Sequence, residues 1–296
     1  MSAAFERGTN GDLSRRSLLG LAGGMACALA ADRAHAQPGT IRFGLTPVFL
    51  TNDLELLDAF RAYLESETGY QVELITRRTY QEVTALLVSG QLDAAWICGY
   101  PFVRYRNELE LVAVPQWHGK PLYQSYLIVS EEREASSLAD LQDDIHAFSD
   151  PDSNSGYLVT RALLFEKGLN PDYFFRRTIY TYGHRNVIRA VASGLAQSGS
   201  VDGYVWEVMR DIEPELVAGT RPLRKSEWLG FPPVATNKSL AGSDRIAALS
   251  GALLTIPEKE QGRRVLEMLK LTGFTSSGPE IFDGIASKVA MLRGVL

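Results

Sequence analysis

Apolar and polar positions switch repeatedly between two periods along this chain. Short runs that alternate, or are apolar throughout, give way to stretches in which apolar residues recur every three or four positions. Ile41-Arg42-Phe43-Gly44-Leu45 reads as a strand, with Thr46-Pro47 as the loop at its C-terminal end. Asp53 to Glu67 reads as a helix with Leu54, Leu57, Phe60 and Leu64 on one face, and Gln71 to Ile75 as a second strand. A helix from Tyr80 to Val88 is ended by Gly90, and the strand Asp93 to Ile97 runs into Cys98-Gly99-Tyr100-Pro101. Leu109 to Val114 is a fourth strand. Such alternation predicts a parallel sheet with helices on both faces. Ligands on these sheets sit outside the carboxyl ends of the strands, where Thr46, Cys98, Gly99 and Tyr100 fall.

A second alternating set follows: strand Ile145 to Ser149, helix Gly156 to Gly168, strand Thr178 to Tyr182, helix His184 to Gly194, strand Val201 to Val205 and helix Trp206 to Ile212. Extended apolar segments bracket it, Leu122 to Val129 before and Trp228 to Ala235 after, and they read as two crossover strands. The helical remainder, Ala241 to Leu296, is expected to pack back on the first set. The predicted architecture is α/β, two parallel-sheet lobes joined by crossovers near residues 122–129 and 228–236. Lobe 1 takes residues 37–124 plus 234–296, and lobe 2 takes 125–233. A cleft between two such lobes is a preferred ligand site.

The N-terminal stretch carries a different message. Ser14-Arg15-Arg16-Ser17-Leu18-Leu19, the apolar run Gly20 to Ala31 and Ala34-His35-Ala36 form a twin-arginine export signal, residues 1–36, with cleavage after Ala36. The run is too short for a stable membrane anchor, and the mature protein is expected to begin at Gln37. A lipidated Cys27 or an uncleaved signal anchor are minor alternatives, the first because Gly24-Met25-Ala26 is a poor lead-in. About 260 residues then remain, enough for two modest domains. A composition of 45% apolar and 22% charged residues, with net charge −5 and no basic run, gives no footprint for nucleic acid or an anionic membrane. With Cys27 in the signal, Cys98 is the only thiol in the exported chain and has no internal disulfide partner. It is either a buried, inert cysteine or a soft ligand.

The candidate chemistry gathers in Phe148-Ser149-Asp150-Pro151-Asp152-Ser153-Asn154-Ser155-Gly156-Tyr157, which turns a short strand into a helix. Free amides in a helix's first turn favour an anion, and Ser153, Asn154 and Ser155 add side-chain donors there. The alternative is plain N-capping. No lysine or arginine lies in the cluster.

Ser149 to Val159 resembles the anion loop of the periplasmic phosphonate-binding proteins, in which Ser-Thr-Ser-Gly opens a helix onto the phosphonate oxygens. Tyr182-Gly183-His184 resembles the family's Gly-His element and Val201-Asp202 its following Val-Asp strand, while Tyr80 and Tyr123 match tyrosines that reach the ligand. The resemblance covers nearly all of the mature chain. It implies a two-lobed (type II) binding protein of the periplasm, a monomer that captures a small oxyanion or oxyacid of the phosphite, phosphate or phosphonate type. The closed form would be presented to an ABC transporter permease or a membrane sensor kinase. The ligand-binding set then comprises Thr46, Tyr80, Cys98, Gly99, Tyr100, Tyr123, Ser153, Asn154, Ser155, Gly156, His184, Asp202 and Tyr204. Asp202 orients His184 or a cleft tyrosine, or makes structural hydrogen bonds. Tyr204, Trp206 and Trp117 line the cleft or pack in the core.

Three departures from the family pattern matter. Asn154 replaces a threonine. Pro232 stands where aminophosphonate binders hold the ligand ammonium with an acid, and Glu207 sits at a different offset, so aminoethylphosphonate is not expected. Cys98 resembles the cysteine of the arsenite-binding periplasmic sensor proteins, which makes it a metalloid candidate. An enzyme is the competing class, through Ser155, His184 and Asp202. No Gly-x-Ser-x-Gly elbow supports it, His118, His146 and His184 are too dispersed for a zinc site, and no cofactor motif is present.

Overall fold

A computed structural model describes residues 39–46 and 54–293; the twin-arginine motif, the Ala36 cleavage position and Asp53 lie outside them. β1 (Thr40–Leu45), α1 (Leu54–Thr68), β2 (Gln71–Thr76), α2 (Tyr80–Val88), β3 (Ala94–Trp96), α3 (Gly99–Arg104) and β4 (Leu109–Gln116) begin the first lobe. β5 (Leu122–Tyr123) and β6 (Ser125–Ser130) carry the chain into the second. There β7 (Ile145–Phe148), α4 (Val159–Glu166), β8 (Arg177–Tyr180), α5 (His184–Ala192), β9 (Ser198–Asp202), α6 (Gly203–Ile212), α7 (Pro214–Ala218) and β10 (Thr220–Lys225) follow. β11 (Leu229–Gly230) and β12 (Val234–Asn237) return the chain, and α8 (Asp244–Leu254), α9 (Glu260–Leu269), β13 (Gly273–Thr275) and α10 (Asp283–Met291) complete the first lobe.

The strand orders are β13-β4-β12-β3-β1-β2 and β10-β6-β9-β7-β8. Strands fed by their own helices pair in parallel: β1 with β2 and β3, β7 with β8 and β9. Around these parallel units both sheets are mixed: β12 runs antiparallel to β3 and β4, β13 to β4, and β6 to β9 and β10. β6 and β12 arrive from the other lobe and enter their sheets from the opposite end, so their pairing with β9 and β3 is reversed. Midway along the two crossovers, β5 and β11 pair with each other, Tyr123 opposite Leu229 and Leu122 opposite Gly230.

In the first lobe, edge-to-face rings of Phe43, Phe60, Trp96 and Phe274 form the centre of the core. In the second, His146 stacks on Phe175 with centroids 4.1 Å apart, and its Nδ1 and Nε2 each lie 2.8 Å from a serine hydroxyl, Ser198 and Ser200. Two local expectations shift. α1 buries Leu56, Phe60, Tyr63 and Leu64 rather than a face containing Leu54, which is 73% exposed. α6 starts at Gly203, not Trp206, because the Asp202 carboxylate accepts from the amides of Tyr204 and Val205 and so caps a helix through β-favouring residues.

Candidate functional site

The loop after β7 closes on itself through small residues. Ser153 is extended and its Oγ accepts from the Gly156 amide at 2.9 Å, as an N-cap does. The next turn, Asn154–Leu158, is wider than an α-turn: Leu158 N–H reaches Ser153 O at 3.0 Å and Val159 N–H reaches Asn154 O, both π-type bonds, before α4 begins. Glycine is obligatory at 156, because a Cβ there would lie 1.8 Å from Ser149 Oγ, and Ser149 N–H donates to Gly156 O at 3.1 Å. Ser149, Ser153 and Asn154 are wholly buried, yet Ser149 Oγ and Asn154 Oδ1 have no hydrogen-bond partner. Ser155 is fixed from behind, its carbonyl accepting from Ser125 Oγ at 2.6 Å.

Residues of the first lobe and the crossover meet this turn. The Asn154 amide donates to Cys98 Sγ at 3.1 Å, and Asn154 Nδ2 donates to Tyr123 Oη at 2.8 Å. Cys98 precedes α3, and burial pushes its thiol up to about 12, so it is S–H at neutral pH. The Tyr80 amide, at the start of α2, donates to Asp150 Oδ2 at 3.1 Å. Thr46 is buried at the end of β1 with its hydroxyl donating to Trp96 O at 3.1 Å. Tyr100 lies at the start of α3 with the Arg104 guanidinium 5.6 Å from its ring, and Arg104 pairs with Asp152 at 2.9 Å across the lobes.

His184 sits at the first position of α5. Burial lowers its pKa to about 3, so the ring is neutral, and Nδ1 accepts from the Asp202 amide at 3.1 Å. The proton is therefore on Nε2, which donates to Tyr80 Oη at 3.2 Å and leaves the Tyr80 O–H free to donate onward. Asp202 thus orients His184 through its backbone rather than its carboxylate. That carboxylate caps α6, and burial pushes it up to about 7. No Ser155–His184–Asp202 relay is assembled, since both nitrogens of His184 are engaged elsewhere.

A family model for the periplasmic substrate-binding protein of phosphonate ABC transporters matches residues 43–280. The chain belongs to that family. It is 27% identical over 221 residues to the phosphate-import protein PhnD of Mycolicibacterium smegmatis, covering 70% of this chain and 69% of that one. In fold it is similar to a binding component of a phosphonate ABC transporter from Pseudomonas aeruginosa, at 21% identity and TM-score 0.79 with 87% of each chain covered. It is also similar to PhnD1 of Prochlorococcus marinus with methylphosphonate, at 18% identity and TM-score 0.77, covering 86% of this chain and 99% of that one. The two-lobed α/β architecture read from the alternating pattern is thereby the family's.

Of the predicted set, this phosphonate-binding-family chain brings Tyr80, Cys98, Tyr123, Ser153, Asn154, Ser155, Gly156, His184 and the Asp202 backbone into one interlobe cluster. Tyr204 is placed differently: its hydroxyl donates to Leu269 O at 2.5 Å and its ring packs on Trp117 and Phe231. Gly99 faces α10, where a Cβ would lie 2.7 Å from Ile285 Cδ1. Glu207 is engaged by Arg210, Lys225 and the Tyr126 hydroxyl, and the Pro232 carbonyl accepts from Trp96 Nε1. Sequence reasoning puts Ser149, Asp150 and Asp152 in the candidate stretch but gives them no role, and it misses the Arg104–Asp152 pair. Asp150-Pro151 signals only a turn, and nothing local announces that its carboxylate will hold the start of α2.

Proposed function

We propose that this chain is the capture component of an uptake or sensing system, holding a small oxyacid of the phosphite, phosphate or phosphonate type between its lobes. Lobe 1 is residues 37–124 plus 234–296, lobe 2 is 125–233, and the β5–β11 ladder is the hinge. The observation that carries this reading is two sets of polar groups meeting across the lobes: Asn154 of the π-type turn donates to Tyr123 Oη of the crossover at 2.8 Å, and His184 of the second lobe donates to Tyr80 Oη of the first at 3.2 Å. A guest that bonds to both sets shifts the population toward closure, and a permease or sensor kinase reads the closed form. The protein acts as a monomer, performs no chemistry and reaches the periplasm by the twin-arginine route.

Calorimetry and thermal shifts against phosphate, phosphite, methylphosphonate, aminoethylphosphonate, sulfate and arsenite test this. Heat and stabilisation are expected for at least one phosphorus oxyacid, and none for any of them ends the reading. Aminoethylphosphonate is expected to gain nothing over methylphosphonate, because Glu207 is already paired.

A second reading is favoured by one observation, the placement of Cys98 Sγ against the Asn154 amide inside the cluster. Arsenous acid could bond there through arsenic, the thiol proton and one hydroxyl leaving as water. Arsenite stabilisation that is lost in Cys98→Ser would establish metalloid sensing. Phosphite binding indifferent to that change would establish phosphorus capture.

A further inference from the structure

The cluster contains an acceptor with nothing to accept. Asn154 is wholly buried and its nitrogen is committed to Tyr123, while Oδ1 has no partner. An amide oxygen cannot donate, so a fully ionised oxyanion would set lone pair against lone pair there. Ser149 Oγ, also without a partner, lies behind the same turn.

The charges around Asn154 point the same way. On its own loop, Asp150 accepts from the Tyr80 and Asp152 amides, and Asp152 pairs with Arg104 of α3. From β9 comes the Asp202 carboxyl, from α5 the neutral His184, and from the residue before α3 the protonated Cys98. Among the described residues the buried cations are Arg161 and Lys288. Arg161 is paired with Asp172, and Lys288, on α10, with Glu227. Each of these cations, Arg104 included, is already paired with a carboxylate, so among them none is left to favour a second negative charge on the guest.

We infer that the cleft takes its oxyacid in a protonated form, with Asn154 Oδ1 accepting the guest's O–H and so rejecting the fully ionised anion. This rests on the cleft being the oxyacid site, as proposed above, and adds the chemical state that it selects.

Calorimetry at about pH 6 with methylphosphonate and methanesulfonate tests the donor requirement, since both are then monoanions of similar shape that differ by one O–H. Methylphosphonate is expected to bind at least about a hundredfold tighter, because a site built to bond a hydroxyl rejects the analogue lacking it. Titrations of phosphite and methylphosphonate at rising pH should show affinity falling about tenfold per pH unit above the second ionisation of each acid. The inflection must move with the acid. An inflection at one fixed pH for both would belong to Asp202 and would overturn the inference, as would methanesulfonate binding within about tenfold of methylphosphonate. Asn154→Thr supplies a hydroxyl that can donate, so the preference between the two acids should shrink to under about tenfold, a ratio that a general loss of stability would not move. A preference that survives the change also overturns the inference. Absence of heat from every oxyacid at every pH is a separate failure, that of the binding site itself.

Discussion

Gly156→Ala is the most searching single perturbation of the loop. The added methyl carbon would lie 1.8 Å from Ser149 Oγ, 2.7 Å from Ser149 Cβ and 2.9 Å from Ser153 Oγ. Neither Ser149 nor the turn has room to retreat, since both are buried and Ser149 N–H is bonded to Gly156 O. Overpacking of this kind costs about 1–3 kcal/mol. Turning the π-type segment to relieve it moves the Ser155 and Tyr157 amides, so affinity for phosphite should also fall at least about tenfold, or ~1.4 kcal/mol. Urea unfolding followed by fluorescence measures the first cost and calorimetry the second. Compensation in a double-mutant cycle makes the cause identifiable. Ser149→Ala removes only the nearest contact, whereas Ser149→Gly removes the two nearest and leaves only the 2.9 Å approach to Ser153 Oγ. Measured against the matching Ser149 variant, the cost of Gly156→Ala should therefore shrink with Ser149→Ala and nearly vanish with Ser149→Gly, a coupling of about 1–2 kcal/mol. An unperturbed Gly156→Ala protein, or strictly additive doubles, would refute the steric account of why glycine stands at this position.

Four further outcomes are expected. His146 is buried with its pKa lowered from 6.5 to about 3, so its contribution is full above pH 6.5 and is lost as pH falls toward 3; His146→Gln should remove about 2 kcal/mol of the stability lost between pH 6.5 and 5 in urea titrations. His184 behaves likewise, while Asp202, raised to about 7, works in the opposite sense by gaining stability as pH falls below 7. Arg104→Ala, which breaks a half-exposed interlobe ion pair, should weaken ligand binding only about two- to fivefold and lose even that effect in high salt, as calorimetry at two salt concentrations would show. Lysines in place of Arg15 and Arg16 should hold the precursor in the cytoplasm in a fractionation assay, and normal export would remove the twin-arginine assignment.

Much of the fold was legible because it is written in period. The β1 to β4 units and the β7 to β9 units announce themselves by alternation, and the crossovers by two apolar runs placed either side of the second set. Antiparallel entry of β12 and β6 was not legible, since direction depends on which lobe a strand comes from and not on its composition. α1 shows the limit of periodicity: Leu54, Leu57 and Phe60 form as good a stripe as Leu56, Phe60 and Tyr63, and only the neighbouring α8 and α9 decide between them. At the site, the helix-start composition led to Ser153, Asn154, Ser155 and Gly156. It also overcounted the available amides, because Gly156 N–H is used by Ser153 Oγ and Asn154 N–H by Cys98 Sγ. Those bonds join residues up to 56 positions apart, which local pattern does not record.

If the cleft holds an oxyanion as proposed, neutral donors must supply most of the affinity, because the cations around it are paired with carboxylates, and the arithmetic shows how they can. A lysine about 4 Å from a guest oxygen contributes roughly 4 kcal/mol at an effective dielectric near 20, before the cost of burying the ammonium itself. Hydrogen bonds from neutral donors to a charged acceptor contribute about 1.5–3 kcal/mol each. Four such bonds thus reach a gross 6–12 kcal/mol, on the order of micromolar affinity after ordering costs. His184 holds the Tyr80 hydroxyl and Asn154 the Tyr123 hydroxyl, which limits the ordering cost. The lobes also meet directly, Tyr80 N–H on Asp150, Asn154 N–H on Cys98 and Arg104 on Asp152. A closed form stabilised in this way lowers the differential affinity that a ligand must supply to shift the lobes. It follows that substitutions at these interlobe contacts should change affinity by changing the closed fraction. They should do so equally for every oxyacid, whereas Asn154→Thr changes the ranking among them.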